Sequence, residues 1–148
     1  MRVVLDTNVL VRATKSSVGP ARELLLRLTS PPHVIVTSSA LLAELVRVLA
    51  YPRLQSLHRL TGTEIEAFAG EMLQVADVVA IPHETQNVLV PGDPDDDPVV
   101  QTALVGKADA ICALDRHLRH PEVRQYCSAR GIRVLDDVEL LGVLRQSD

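Results

Sequence analysis

Aromatic residues are the scarcest class in this 148-residue chain, which has no Trp, one Phe and two Tyr, 2% in all. An interior without rings must be built from Leu, Val, Ile and Ala, and an aromatic platform for stacking bases is excluded. The two cysteines, Cys112 and Cys127, fit no metal-ligand spacing and are too few for a disulfide framework in a chain of this size. Cys112, inside an apolar run, reads as a small buried hydrophobe. No apolar run reaches the ~18 residues of a membrane span, and the N-terminus begins on a strand carrying Asp6, unlike a leader. These features predict a cytoplasmic protein with no membrane contact. Positive charge is not in excess either: the formal net charge is −4, so a global nucleic-acid footprint is missing. That objection weakens once four site carboxylates are discounted, because the rest of the chain is then neutral. Gly-rich phosphate loops, a nucleophile elbow and a Cys–His pair are all absent.

What is present is a 47% hydrophobic chain long enough for one domain, 1–148, with a real core. Val3-Val4-Leu5 is a short continuous apolar run of the kind a buried parallel strand requires. Residues 33–36, 78–81, 110–114 and 132–135 are the other strand candidates. Between them Ala21, Leu24, Leu25 and Leu28 share one face of a helix over 20–28. Ser38 or Ser39 caps the next helix, in which Leu41, Leu42, Leu45, Val48 and Leu49 form a stripe that Tyr51-Pro52 stops. Thr63 with Glu66 resembles a capping box ahead of Ile65, Phe68, Ala69, Met72, Leu73 and Ala76, the clearest amphipathic pattern. The stretch 83–97 is the least regular. Pro98 suits a first helical position, with Asp97 as N-cap and the helix running to about Val105. Helices over about 122–130 and after Asp136, paired with Glu139 as a cap, complete the chain. Alternation of strands and helices with no repeat or linker predicts an α/β fold, a parallel sheet with helices on both faces.

In such sheets the site lies at the carboxyl ends of the strands. Asp6 ends the first strand and Asp115 the fourth. Four aspartates crowd Asp93-Pro94-Asp95-Asp96-Asp97, just ahead of a helix. Glu44 lies beside Val48 at the margin of an apolar stripe, where a solvated glutamate is not expected; an ion pair with Arg47, one turn away, is the competing reading. Each acid taken singly is also explained as a turn former or cap. Together, at ~5 Å and an effective dielectric near 20, four carboxylates would repel by about 3 kcal/mol per pair, on the order of 20 kcal/mol in all. A divalent cation or protonation must relieve that strain, and oxygen-only ligands suit Mg²⁺ or Mn²⁺. The histidines offer less. His117 and His120 lack a zinc-type partner set, and His33, His58 and His83 sit beside turns and read as surface residues.

The acids stand in four segments that resemble the motifs of the PIN domain family, of the type found as the VapC-like toxin of bacterial and archaeal toxin–antitoxin pairs. The first runs Val3-Val4-Leu5-Asp6-Thr7-Asn8-Val9-Leu10, the second Val36-Thr37-Ser38 through Glu44-Leu45. The third is Asp93 through Leu104, with an acid seven residues ahead of Ala103, and the fourth Ala108 through Leu118. The family often has Thr or Ser near the fourth acid, where this chain has Cys112 and Ala113. The resemblance extends from Arg2 to about Leu135. It implies a three-layer α/β/α sandwich and a ribonuclease that holds one or two Mg²⁺ or Mn²⁺ ions on Asp6, Glu44, Asp96 and Asp115. Counting back from Ala103 selects Asp96 as the third ligand and leaves Asp97 to the cap. Thr7 or Asn8 is then expected to order the first acid or a water. Arg12, Arg47, Arg53, Lys107 and Arg116, near the motifs, are candidates for RNA backbone contact.

The same resemblance implies a small antitoxin partner and a possible homodimer, with the apolar faces of 20–28 and 41–49 available for either unless they are core. Two other readings compete. An aspartate-nucleophile phosphatase would use Asp6, although position 8 is Asn where that chemistry wants a second acid. A receiver-like or degenerate binding domain would keep the fold without turnover.

Overall fold

The computed structural model describes residues 1–82 and 89–147. Five strands are present: β1 (Arg2–Leu5), β2 (Val34–Ser38), β3 (Asp77–Val79), β4 (Ala110–Cys112) and β5 (Arg133–Leu135). Around them lie α1 (Thr7–Lys15), α2 (Pro20–Leu28), α3 (Ser39–Leu49), α4 (Pro52–His58), α5 (Gly62–Val75), α6 (Asp97–Val105), α7 (Pro121–Ser128) and α8 (Asp137–Ser147). A single 3₁₀ turn, Pro94–Asp96, leads into α6. None of these helices is long and apolar enough to cross a membrane.

The strands form one sheet in the order β3-β2-β1-β4-β5, with every pairing parallel. Val4 stands opposite Val36 on one side and Ile111 on the other. Successive side chains on a strand point to opposite faces, and the sequence fills both. Val3, Leu5, Ile35, Ala110 and Cys112 face a core closed by α1, α2, α3, α5 and α8. Val4, Val36, Ile111, Ala113 and Val134 face a second core closed chiefly by α6 and α7. Burial on both faces explains why these strands read as continuous apolar runs. The result is the expected three-layer α/β/α sandwich.

The order also places the site. From β1 the chain winds outward through β2 and β3, then returns to add β4 and β5 on the other side. The direction of winding reverses between β1 and β4, and at such a switch point the two following loops diverge and leave a crevice. Asp6 follows β1 directly, its N–H extending the ladder to the Cys112 carbonyl at 2.9 Å. Asp115 follows β4 by three residues.

Several local expectations change. Residues Thr7–Lys15 form α1, a helix whose apolar positions Val9, Leu10, Val11 and Ala13 are all buried. Pro52 does stop α3, but it also starts α4, as a proline at a first helical position can. The capping box belongs to Thr61 and Glu64, with reciprocal bonds of 3.1 Å, and not to Thr63 and Glu66. Asp97 is the first residue of α6 and not its N-cap. His58 is buried, its Nε2 near the Leu49 carbonyl at 2.9 Å and its Nδ1 accepting from Leu60 N–H, so it locks α4 under α3. His83 lies outside the described residues. The apolar faces of α2 and α3 are core: Ala21, Leu24, Leu25, Leu28, Leu41, Leu42, Leu45 and Leu49 are all buried.

Layer packing is close where α6 ends over β2. A Cβ on Gly106 would lie 2.3 Å from Val36 Cγ1 and 2.9 Å from the Thr102 carbonyl. The backbone there is ordinary helix (φ −78), so the glycine serves close approach and not an unusual dihedral. Gly106→Ala is expected to destabilise the protein by about 1–3 kcal/mol through overpacking. Urea unfolding checks this, and an unchanged midpoint would show that α6 is free to lift from the sheet.

Candidate active site

Each acid reaches the rim by a different route. Asp6 is the N-cap of α1, where its Oδ1 accepts from Thr7 N–H at 2.9 Å and the side chain is held at 4% exposure. The same residue, Thr7, donates its hydroxyl to Glu44 Oε2 at 3.0 Å. Thr7 is buried whereas Asn8 is exposed, so Thr7 is the residue that orders the first acid. Glu44 comes from the middle of α3 and turns inward. Its contact with Arg47, at 3.9 Å, is at the outer limit of an ion pair, and the threonine bond is the better defined partner.

Asp115 accepts from His117 N–H at 2.6 Å, which folds the loop after β4 back on itself. Gly92 packs against this turn so closely that a Cβ would fall 2.3 Å from His117 Nδ1. That contact brings the acidic loop onto the loop of Asp115. Asp93 opens the 3₁₀ turn by accepting from Asp95 N–H at 3.2 Å, and Asp96 ends it.

The carboxylates converge. Oxygens of Asp93, Asp96 and Asp115 lie within 4.8 Å of one another. Twice a hard-cation–oxygen distance of ~2.1–2.5 Å spans about 4–5 Å, so these three can share one ion. Asp6 and Glu44 stand close enough for their charges to be felt at the trio. Burial first, then repulsion from Asp6, Asp115, Asp93 and Glu44, raises the Asp96 pKa from 3.8 to about 7. The Asp6 pKa is likewise raised to about 7, by burial and by Glu44 and Asp115, against the lowering effect of the Thr7 bond. Asp96 Oδ2 is buried without a hydrogen-bond partner. An all-oxygen set with an orphaned buried oxygen fits a divalent cation and nothing softer.

The acidic run 93–97 divides differently from the linear reading. Asp93 is absent from the four acids expected to act, yet its carboxylate is one of the three that meet. Its signal was its place in the acidic run, but counting back from Ala103 selects one acid only. In Asp97, Oδ1 accepts from Val90 N–H at 2.7 Å and Oδ2 from Leu89 N–H at 3.1 Å. Both oxygens are spent holding the preceding loop.

Among the basic candidates, Arg12 pairs with the buried Asp137 at 3.0 Å. Lys107 lies in the turn between α6 and β4, at the amino ends of the strands and so on the far rim. Arg47, Arg53 and Arg116 are exposed on the α3, α4 and β4 sides. A groove of about 360 Å³ beside Asp115 is lined by Asn8, Arg12 and Lys15 among others, and Lys15 is a basic group the motif reading passed over.

A parallel α/β sandwich with acids gathered at its switch point is the class that fold and site define. A family model for the PIN domain matches residues 2–117, and the chain belongs to that family. The match stops at His117, short of the Leu135 to which the motif likeness extends. No curated protein matches the chain in sequence. Among solved structures, the chain is similar to one of VapBC2 from Rickettsia felis bound to a DNA fragment from their promoter. That likeness covers 92% of this chain and 100% of the other at 15% identity, with a TM-score of 0.59, and it concerns the fold.

The raised carboxyl pKa values have a consequence for stability. In the unfolded chain these groups lose their protons near pH 4, whereas in the fold Asp6 and Asp96 hold them to about 7. The metal-free fold therefore binds more protons than the unfolded chain between these limits, and it loses stability as pH rises through that window. Asp96→Asn, which removes one repelling charge, is expected to stabilise metal-free protein at pH 8 by about 1–2 kcal/mol, discounted because this carboxylate is partly hydrated. At pH 4 the variant should match the wild type, and Mg²⁺ should stabilise the wild type the more. Thermal unfolding at both pH values measures this. A variant less stable than wild type at pH 8 without metal contradicts a repulsive cluster.

Proposed function

We propose that the protein is a metal-dependent endoribonuclease and the toxin of a toxin–antitoxin pair, acting in the cytoplasm. The observation that carries the chemistry is the meeting of three carboxylates around an orphaned Asp96 oxygen, with Asp6 and Glu44 adjoining. Asp6, Glu44, Asp96 and Asp115 hold Mg²⁺ or Mn²⁺, one ion or two, with Asp93 an additional ligand. When bound, the cation offsets the charge of these acids, activates water and stabilises charge on a phosphodiester.

The chain's own residues prepare that chemistry. Thr7 fixes Asp6 and Glu44 with one amide and one hydroxyl, so neither acid has to reorganise. His117 N–H orients Asp115. Asp97 pins Leu89 and Val90 and so holds the turn that carries Asp93 and Asp96. Arg12 and Lys15, on the groove beside Asp115, track the sugar-phosphate backbone as it enters. Hydrolysis at such a site leaves a 5′-phosphate and a 3′-hydroxyl.

The toxin role and the antitoxin partner are supported by the motifs and by the likeness to the VapBC2 structure. A homodimer is part of the same reading. Neither partner uses the apolar faces of α2 and α3, which are core. The phosphatase alternative finds no support at the site, since position 8 is an exposed Asn and no acid stands there.

Asp6→Asn is expected to reduce Mg²⁺-dependent cleavage of a structured RNA by at least a hundredfold while the circular dichroism and unfolding midpoint remain native or improve. Cleavage by the wild type that proceeds equally in chelator and in Mg²⁺ removes the metal-dependent mechanism. A variant as active as wild type removes Asp6 from it.

A further inference from the structure

Beside the acidic rim lies a separate cavity of about 280 Å³ at the carboxyl ends of β2 and β3, lined by Ser38, Ser39, Val79, Ile81, Pro98 and Gln101 among others. Its size is at the small end for ligand sites. Gln101, on α6, is only 8% exposed, yet its side-chain amide makes no hydrogen bond among the described residues. Two neighbouring hydroxyls are already engaged: Thr102 donates to the Pro98 carbonyl at 2.6 Å and meets Ser38 Oγ at 2.9 Å. The amide therefore keeps a free donor and a free acceptor at the cavity wall, open to whatever enters the cavity. The amino terminus of α3 opens into the same space. There the Leu41 N–H is taken by Ser38 Oγ at 3.5 Å, while helix geometry leaves the N–H groups of Ser39 and Ala40 without intrahelical partners.

We infer that this cavity is a nucleobase subsite, with Gln101 as a specificity-determining residue that reads a donor–acceptor edge of one base. The inference rests on the nuclease reading above for its place in the reaction. The lining favours a base over an anion: Val79 to Pro82 and Pro98 supply an apolar wall, and no cation lines the cavity among the described residues. A glutamine amide offers a paired donor and acceptor, which matches the hydrogen-bonding edge of an unpaired base. The site is also in the right place. Strands lie ~4.8 Å apart, so a cavity over β2 and β3 is roughly 5–10 Å from acids over β1 and β4. A nucleotide whose phosphate meets the acids can lay its base there. In a chain with almost no aromatic side chains, the base is sandwiched by prolines and aliphatics, and selectivity comes from the amide.

The test uses the four ribonucleosides as uncharged probes, with ribose as control, titrated into isotope-labelled full-length protein in chelator so that cleavage plays no part. At least one nucleoside is expected to shift the Gln101 side-chain amide and the Ala40 backbone amide saturably, and to bind on the order of tenfold more tightly than ribose. Gln101→Met should abolish that advantage with the rest of the spectrum unchanged. No saturable shift in the wild type, or an equal response to ribose, overturns the subsite without reference to any variant. A parallel arm maps cleavage ends on a randomised RNA in Mg²⁺. Loss of base preference at the cut in Gln101→Met supports the subsite; an identical preference in variant and wild type overturns it and leaves the nuclease reading intact. RNA left uncut by the wild type, with nucleosides still bound at Gln101, overturns the nuclease reading and leaves the subsite standing.

Discussion

Mutual repulsion among carboxylates is the constraint around which the rest of this rim is built. Acids from the end of β1, α3, the 3₁₀ turn with its cap and the loop after β4 are brought together where burial makes charge more costly, and two of them are held near a neutral pKa as a result. No arrangement driven by stability alone would assemble them, because separated acids on a hydrated surface cost nothing. The sheet supplies the means. Two strands of opposite winding direction end side by side with their following loops turned apart, and the crevice between them is lined by whatever residue follows each strand.

The neutral groups around the acids show how the fold sustains this. Thr7 contributes an amide to Asp6 and a hydroxyl to Glu44, and Asp97 spends both oxygens on backbone amides eight and seven residues earlier. Asp97 and Asp96 are adjacent in sequence and opposite in role. One is saturated with hydrogen bonds and stays a structural carboxylate, while the other keeps a buried oxygen with no partner. Gly92 adds the remaining constraint by allowing the acidic loop to rest on the His117 ring. The loop is thus held at both ends while its central acids face the crevice.

Much of this was legible from residues alone, and the gaps have definite causes. Continuous apolar runs marked the central strands because both faces of the sheet are buried there, whereas the edge strand β3 is largely exposed. The terminal helix cap, Asp136 with Glu139, was readable because both partners are local, and their bonds of 2.7 and 2.8 Å are present. Helix α1 was missed because its cap, Asp6, was already assigned to chemistry, and the residue in fact serves as both. The capping box was displaced by two positions because Thr61 and Thr63 each have a glutamate three residues on, and only packing chooses between them. Membership of Asp93 in the acidic trio was beyond a linear reading. It depends on a turn that brings Asp93 and Asp96 together, while Asp95 between them is exposed and outside the trio. Burial of His58 depends likewise on α4, a helix that the Pro52 signal concealed by reading as a stop.

The composition then bears on how such a site meets a polyanion. A net charge of −4 and a rim of clustered acids repel a phosphodiester, and a bound divalent cation would offset part of that charge. The basic residues nearest the motifs offset this only in part, since Arg12 is partly committed to Asp137 and Lys107 lies on the far rim. Affinity from phosphate contacts is therefore modest, and aromatic stacking is not on offer either. Recognition must be drawn from hydrogen-bonding capacity that the fold leaves unused, and the described rim holds two conspicuous instances. One is the orphaned Asp96 oxygen, which suits a cation; the other is the Gln101 amide, which suits a base. Both lie at the carboxyl edge of one sheet, so a single nucleotide can engage them together, and discrimination between substrates then depends on that amide more than on charge.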